Sequence, residues 1–269
     1  MFASDRELPV AGGPDKRKYV REMFGAIAPT YDRLNRIISL RLDLRWRRAA
    51  LRMLDWERAP EGTYLDLCAG TLDFAAALER ERGFRGQIIG ADFALPMLQA
   101  GIGKTTRAMP VNADALELPF PDASFDGATV GWGVRNLADL DAGFREAARV
   151  LKPGARLVVL EMSTPPSQPF RGVYLAYFEH VLPRIGRLVS RHGDAYDWLP
   201  ESTRAFPDPD ALARRMTAAG FSDVHYRRFM GGVTVAHAGT RDAGRGTRVP
   251  GLESRVSWPT TRDPRPTTP

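Results

Sequence analysis

The stretch Tyr64-Leu65-Asp66-Leu67-Cys68-Ala69-Gly70-Thr71-Leu72-Asp73 decides the fold. Its apolar run reads as a buried strand over 63–69, and the small residues around Gly70 allow a tight turn before a helix over 72–82. Such a turn at the carboxyl end of a strand brings backbone amides close to a ligand. The next apolar run, Ile88-Ile89-Gly90-Ala91-Asp92, ends in an acid 22 residues after Gly70. Two acceptor oxygens at that strand tip suit a ribose diol. Gly70 stands alone in the turn, so this is not the three-glycine dinucleotide fingerprint, and no Gly-Lys-Ser/Thr phosphate loop follows it.

The alternation continues outward. Strands are expected over 87–92, 108–113, 125–131 and 155–161, with helices over 96–103 and 140–151 and a sharp Lys152-Pro153-Gly154 turn. Strands separated by helices imply a parallel sheet covered on both faces. A Pro-punctuated aromatic insert occupies 164–193, 198–206 reads as a loop, and 209–220 reads as a helix closed by Gly220. The runs 221–226 and 232–238 read as a final strand pair, plausible as a hairpin.

The 269 residues carry a formal net charge of +6, with 43% hydrophobic and 26% charged residues, a globular balance that excludes a wholly disordered chain. No apolar run approaches a membrane span, and the first residues lack the apolar core of a secretory signal. The lone Cys68 excludes an intrachain disulfide and a cysteine zinc cluster, and reads as a small core residue. The four histidines, His180, His192, His225 and His237, lack ligand spacing, so no metal site is expected.

Charge is uneven: 16–52 holds 11 basic and 3 acidic residues. Apolar Tyr19, Val20, Met23, Phe24 and Ile27 recur at helical spacing, Pro29 interrupts, and 35–53 resumes the pattern. Such a basic helical segment can face nucleic acid, anionic lipid or an anionic ligand, or simply pack on the core. Residues 1–15 read as a frayed leader and 241–269 as a disordered tail, leaving one domain over 16–240.

After the third strand, Asp114 stands where a carboxylate can accept from an adenine amino group or cap a turn. With it come Ala115, Leu118-Pro119-Phe120-Pro121-Asp122, Phe125-Asp126 and Val150-Leu151-Lys152-Pro153-Gly154. Together with Leu65-Asp66 through Asp73 and Gly90-Ala91-Asp92, these segments resemble class I S-adenosylmethionine-dependent methyltransferases. Further motifs resemble, more narrowly, the ubiquinone/menaquinone biosynthesis C-methyltransferase family. They are Phe24-Gly25-Ala26-Ile27-Ala28-Pro29-Thr30-Tyr31-Asp32 with Asn35, Ser39 and Trp46; Gly133-Val134-Arg135-Asn136; Leu160-Glu161-Met162-Ser163; and Tyr196-Asp197-Trp198-Leu199-Pro200-Glu201-Ser202. Arg204, Phe206-Pro207 and Gly220-Phe221 complete the match, which covers 18–240.

The resemblance implies an α/β fold: a seven-stranded, mostly parallel sheet with a C-terminal antiparallel hairpin, a helical N-terminal extension (16–53) and a helical insert after strand five (164–193). It implies S-adenosylmethionine as cofactor, with Asp66, Gly70, Thr71, Asp92, Asp114 and Ala115 as cofactor-binding residues. It implies C-methylation of a prenylated quinol in menaquinone biosynthesis, with Arg135, Asn136 and Tyr31 as catalytic residues. On this reading Arg135 stabilises a ring phenolate, Asn136 orients the ring oxygens and Tyr31 bonds to substrate from the N-terminal cap. A bilayer-resident substrate implies a cytoplasmic chain touching the anionic inner membrane surface, with no specific nucleic-acid partner; a homodimer is left open. Alternatives are methylation of a methoxy-benzoquinol, or a non-catalytic cofactor-binding protein.

Two departures from the family pattern bear on the site. Asp43 stands where the family usually has histidine, so no role of that histidine is carried over. Leu72 stands where the family mostly has glycine; its side chain either crowds the cofactor or packs into the following helix.

Overall fold

The computed structural model describes residues 8–178 and 194–244. Seven strands form one sheet in the order β3-β2-β1-β4-β5-β7-β6. They are β1 (Thr63–Leu67), β2 (Gln87–Asp92), β3 (Ala108–Asn112), β4 (Phe125–Gly131), β5 (Leu151–Met162), β6 (Phe221–Phe229) and β7 (Thr234–Arg241). The first five pair in parallel, and β7 runs antiparallel between β5 and β6. This is the expected sheet, with the antiparallel pair at one edge.

Helices cover both faces, which explains why the central strands are continuous apolar runs. One core layer joins Phe125, Leu157 and Val159 of the sheet to Phe144 of the helix Leu140–Val150 and to Leu212 and Met216 of the helix Pro209–Ala218. The opposite layer joins Ile88, Val158 and Ala236 to Trp46, Leu51, Leu54 and Phe74. In chain order the helices are α1 (Gly13–Ile27), α2 (Tyr31–Ile38), α3 (Leu42–Leu54), α4 (Asp73–Glu79), α5 (Leu95–Gly101), α6 (Leu140–Val150), α7 (Phe170–Ala176), α8 (Asp194–Arg204) and α9 (Pro209–Ala218). Local chemistry starts α6 and α9: the Asp139 and Asp208 side chains accept from the amides of Ala142 and Ala211.

Four boundaries differ from expectation, the first being that β5 begins at Leu151 and takes in the expected Lys152-Pro153-Gly154 turn, with Gly154 supplying a positive φ of 80°. The helical pattern over 35–53 is split, because Leu40 and Arg41 take left-handed backbone (φ 50° and 63°) between α2 and α3. The leader ends early: α1 begins at Gly13, whose amide bonds to the Ala138 carbonyl at 3.2 Å, while Leu8 and Val10 pack beside Val20 and Trp198. The expected loop over 198–206 is helical up to Arg204, despite Pro200 within α8. Trp198 is only 1% exposed, and its burial outweighs the proline's local preference. His180, His192, residues 179–193 of the insert and 245–269 of the tail lie outside the described residues.

Candidate active site

The turn after β1 is tightly wound. Cys68, Gly70 and Leu72 all have positive φ (53°, 53° and 62°), which costs the two non-glycine residues about 1–2 kcal/mol each. Asp92 at the end of β2 holds this turn: its Oδ2 accepts from the Gly70 amide and its Oδ1 from the Ala94 amide, both at 2.8 Å. Burial pushes the Asp92 carboxyl up to about 6, against the pull of those two amides. A narrow pocket lies over the turn, lined by Gly70, Asp92, Asp114, Ala115 and Asn136, with Arg17 and Val20 of α1 above.

Asp114 fits both of its sequence readings. Its Oδ1 accepts from the Leu116 amide at 2.9 Å, as a turn cap does, yet the residue lines the pocket and its Oδ2 meets Arg17 Nη2 at 2.5 Å. Asp66 does not line the pocket. It is buried behind the turn, where its Oδ2 accepts from the Ala75 amide at 3.0 Å and its Oδ1 from Thr129 Oγ1 at 3.3 Å. Burial pushes its carboxyl up to about 7, although both hydrogen bonds oppose the shift. Thr71 also lies off the pocket wall; its hydroxyl donates to Asp32 Oδ1 of α2 at 2.6 Å.

That bond belongs to a charge network pinning the N-terminal helices to the turn. Asp73, at the start of α4, meets Arg36 at 2.8 Å, Lys104 at 2.9 Å and Arg47 at 3.2 Å. Lys104 also pairs with Asp32. Burial alone would raise the Asp73 carboxyl, but Arg47, Lys104 and Arg36 outweigh it and hold it below the usual carboxylate range. Asp43 is 3% exposed and accepts from Arg36, from Arg47 at 2.5 Å and from Ser39 Oγ at 2.7 Å. The carboxylate at this departure from the family pattern therefore compensates two arginines of the cap.

A second, broad cavity of about 630 Å³ lies beside the first. Its walls are mostly apolar, including Ile27, Trp46, Met162, Tyr174 and Phe178, with Tyr31, Asn35, Ser39, Asp43, Arg47 and Arg135 as polar members. Arg135 Nη1 donates to Glu161 Oε1 at 2.5 Å and to the Trp132 carbonyl at 2.8 Å. The buried Arg135 Nε has no hydrogen-bond partner. Burial raises the Tyr31 hydroxyl above its ordinary value, opposed by a hydrogen bond from Asn35 and by the charges of Arg135 and Arg47.

Phe24, Tyr31 and Trp132 line both cavities and so form the partition between them. Asn136 faces only the narrow one. Its Oδ1 accepts from Trp198 Nε1 at 2.9 Å and its Nδ2 donates to the Trp132 carbonyl at 3.2 Å. The structure thus gathers Tyr31 and Arg135 at the broad cavity and places Gly70, Asp92, Asp114, Ala115 and Asn136 at the narrow one.

Two residues were missed as site members. Glu161, 1% exposed, is the counter-ion of Arg135, and only its place in the Leu160-Glu161-Met162-Ser163 motif pointed to it. Trp132 directly precedes the Gly133-Val134-Arg135-Asn136 motif, has φ 55°, and lies 4.6 Å from the Arg47 guanidinium. Leu72 takes the packing alternative. It is 1% exposed, lines neither cavity, and fills the space beside Gly90 and Gly101. A Cβ on Gly90 would lie 2.3 Å from Leu72 Cδ2. Outside the site, His237 bonds to the Pro209 carbonyl at 2.9 Å and burial lowers it to about 4, while His225 bonds to the Asp223 carbonyl at 2.8 Å.

Known proteins resemble this chain in sequence and in fold. A demethylmenaquinone methyltransferase of Thermus thermophilus is 49% identical over 223 residues, covering 81% of this chain and 100% of that protein. One of Deinococcus radiodurans is 46% identical over 237 residues, covering 87% and 96%. A crystal structure of an S-adenosylmethionine-dependent methyltransferase from Thermotoga maritima superposes with a TM-score of 0.59 at 20% identity, covering 82% of this chain and 99% of that one; it shares the fold. The profile of the ubiE/COQ5 methyltransferase family matches residues 14–241, and the chain belongs to that family.

Proposed function

We propose that this chain methylates the ring carbon of a prenylated demethylmenaquinol, forming menaquinol, with S-adenosylmethionine as methyl donor. The observation that carries the reading is the junction of a narrow strand-end pocket and a broad apolar cavity at Phe24, Tyr31 and Trp132. The names of the relatives at 46–49% identity support the same substrate.

The narrow pocket suits the cofactor. Gly70 leaves its floor open, since a Cβ there would lie 3.3 Å from Met97 Cε and narrow the cradle. Each Asp92 oxygen holds one backbone amide and keeps a lone pair for a ribose hydroxyl. Asp114 stands ready for an amino group once Arg17 yields. When bound, S-adenosylmethionine supplies an electrophilic methyl group on a sulfonium sulfur.

The chain's own part is to position and dry the acceptor and to favour its anionic form. Arg135 performs the electrostatic task. Its Nε is a buried donor without a partner, which costs about 1–3 kcal/mol until an acceptor such as a quinol oxygen arrives. Glu161 fixes the guanidinium plane from behind. Arginine stays protonated, so its role is phenolate stabilisation and not proton abstraction. Tyr31 offers a hydroxyl at the partition, and Asn136 steadies Trp198 against the Trp132 loop while facing the cofactor. Among the described residues no helix is long and apolar enough to cross a membrane, so contact with the lipid that carries the substrate is proposed to be peripheral.

The test is transfer of labelled methyl from S-adenosylmethionine to a short-chain demethylmenaquinol kept reduced. Methylated product is expected from the wild type, and roughly ten-fold less or lower from Glu161→Gln, which keeps the shape but loses the ion pair. Cofactor binding without product from this acceptor overturns the substrate assignment.

A further inference from the structure

The broad cavity opens through a rim that is more apolar than a water-facing surface requires. Among the described residues nine large apolar side chains are exposed, and five of them, Ile37, Leu40, Phe170, Val173 and Met230, line this cavity. Leu40 is 78% exposed and Val173 66%. They come from three separate stretches: the end of α2 with the turn before α3, α7, and the turn joining β6 to β7. Scattered exposed apolar residues need no explanation, but their concentration around one opening does.

The same three stretches carry exposed charge of one sign. Arg33, Arg41, Arg45 and Arg171 are exposed there; of the two exposed arginines on β6, Arg227 lies over the Phe229 ring and Arg228 bonds to the Tyr226 hydroxyl. The one acid within 33–45, 170–178 and 226–233 is Asp43, and it is buried against Arg36, Arg47 and Ser39. Exposed apolar side chains with exposed arginines close to them in sequence, as at Leu40-Arg41 and Phe170-Arg171, and with the nearby carboxylate Asp210 held by Tyr226, match an anionic lipid surface. Arginine stems reach along the acyl boundary while their heads stay with the phosphates. A water-facing function would not require apolar groups to concentrate at the mouth of an apolar cavity.

We infer that this rim is the docking face for an anionic phospholipid bilayer, so that the cavity mouth opens onto lipid and the prenylated quinol enters without crossing water. The inference rests on the quinol reading of the cavity and adds the route by which the substrate arrives. Leu40, Val173 and Met230 enter the acyl boundary, and the arginines meet the phosphates.

The test is flotation of the full chain with vesicles of phosphatidylcholine, with and without phosphatidylglycerol, in the absence of cofactor and quinol. The wild type is expected to float with the anionic vesicles. A Leu40→Asp/Val173→Asp/Met230→Asp variant with an unchanged melting curve is expected to bind about ten-fold less or weaker. A Leu40→Trp variant is expected to blue-shift on vesicle addition, relative to wild type, and to be quenched by lipid brominated in its acyl chains. Wild type that stays with the unbound fraction, a triple variant that floats like wild type, or an unshifted Trp signal would each overturn the proposal. A triple variant that turns a dimer into a monomer with vesicle binding intact would assign the face to a second copy of the chain. Flotation needs no turnover, so a chain that docks but methylates no quinol would overturn the substrate reading alone.

Discussion

The two cavities that meet at Phe24, Tyr31 and Trp132 are built on opposite plans. The narrow pocket sits on the ends of β1, β2 and β4 and the turns after them, and backbone amides bonded to Asp92 and Asp114 set its shape. The broad cavity draws on α1, α2, α3, α7, α8 and the end of β5, and side-chain packing sets its shape around two buried ion pairs, Arg135–Glu161 and Arg47–Asp43. A polar ligand of fixed form is held by short-range backbone geometry. A long apolar ligand needs volume, a dry wall and a single well-placed charge. The first plan concentrates its information in a few residues; the second spreads it over much of the chain.

The comparison breaks most sharply at Arg135. Arg135→Ala is expected to lower kcat about 100-fold or more while leaving cofactor affinity within a few-fold, because the side chain belongs to the broad cavity. Single-turnover methyl transfer and a cofactor titration on the same protein check this. An equal loss in cofactor binding would show that the two cavities are not separable.

Leu72→Gly tests whether the narrow side depends on its packing more than on its turn. Glycine relieves the positive φ, but the buried Leu72 side chain fills the space against Gly90 and Gly101. The variant is expected to be about 2 kcal/mol less stable in chemical unfolding, the cavity outweighing the relieved strain. A more stable variant would mean that the turn governs.

Asp92 gives the narrow pocket a pH dependence that the broad cavity lacks. Ribose hydroxyls favour the ionised carboxylate, and burial has raised the free group to about 6. Cofactor binding therefore requires loss of a proton below that pH. The dissociation constant is expected to rise toward about ten-fold per pH unit below 6 and to stay flat above it. Titrations at several pH values check this, with Asp92→Asn expected to flatten the profile.

Arg17→Ala should have the smallest effect. The side chain is 56% exposed, so its pairing with Asp114 contributes no more than about 1 kcal/mol. Because the pair occupies an acceptor that the cofactor would use, affinity is expected to rise by about two-fold to five-fold. Weaker binding would mean that Arg17 contacts the cofactor directly.

The contrast also explains what could be read before the structure. The seven strands and the reversed edge were legible, and so was the gathering of Gly70, Asp92, Asp114 and Ala115 at one pocket, because strand-turn-helix patterns and strand-end acids are local. Thr71 and Asp66 were assigned to cofactor binding, but their partners, Asp32 for the one and Ala75 and Thr129 for the other, place both off the pocket wall. The helix through Pro200 was not legible, since its support comes from Trp198 bonding to Asn136 across 62 positions. The partition role of Trp132 and the pairing of Glu161 with Arg135 likewise depend on contacts between distant segments.

The sequence by itself determined the sheet, the acids at the ends of β2 and β3, the basic N-terminal cap and the family, because periodicity, turn chemistry and motif spacing act over a few residues. Only the tertiary structure decided that Leu72 packs against Gly90 and Gly101 and lines neither cavity, that Asp43 compensates two arginines, and that five exposed apolar side chains line one opening. Burial and charge compensation are properties of neighbours in space, and those neighbours are set by the packing of helices on a sheet.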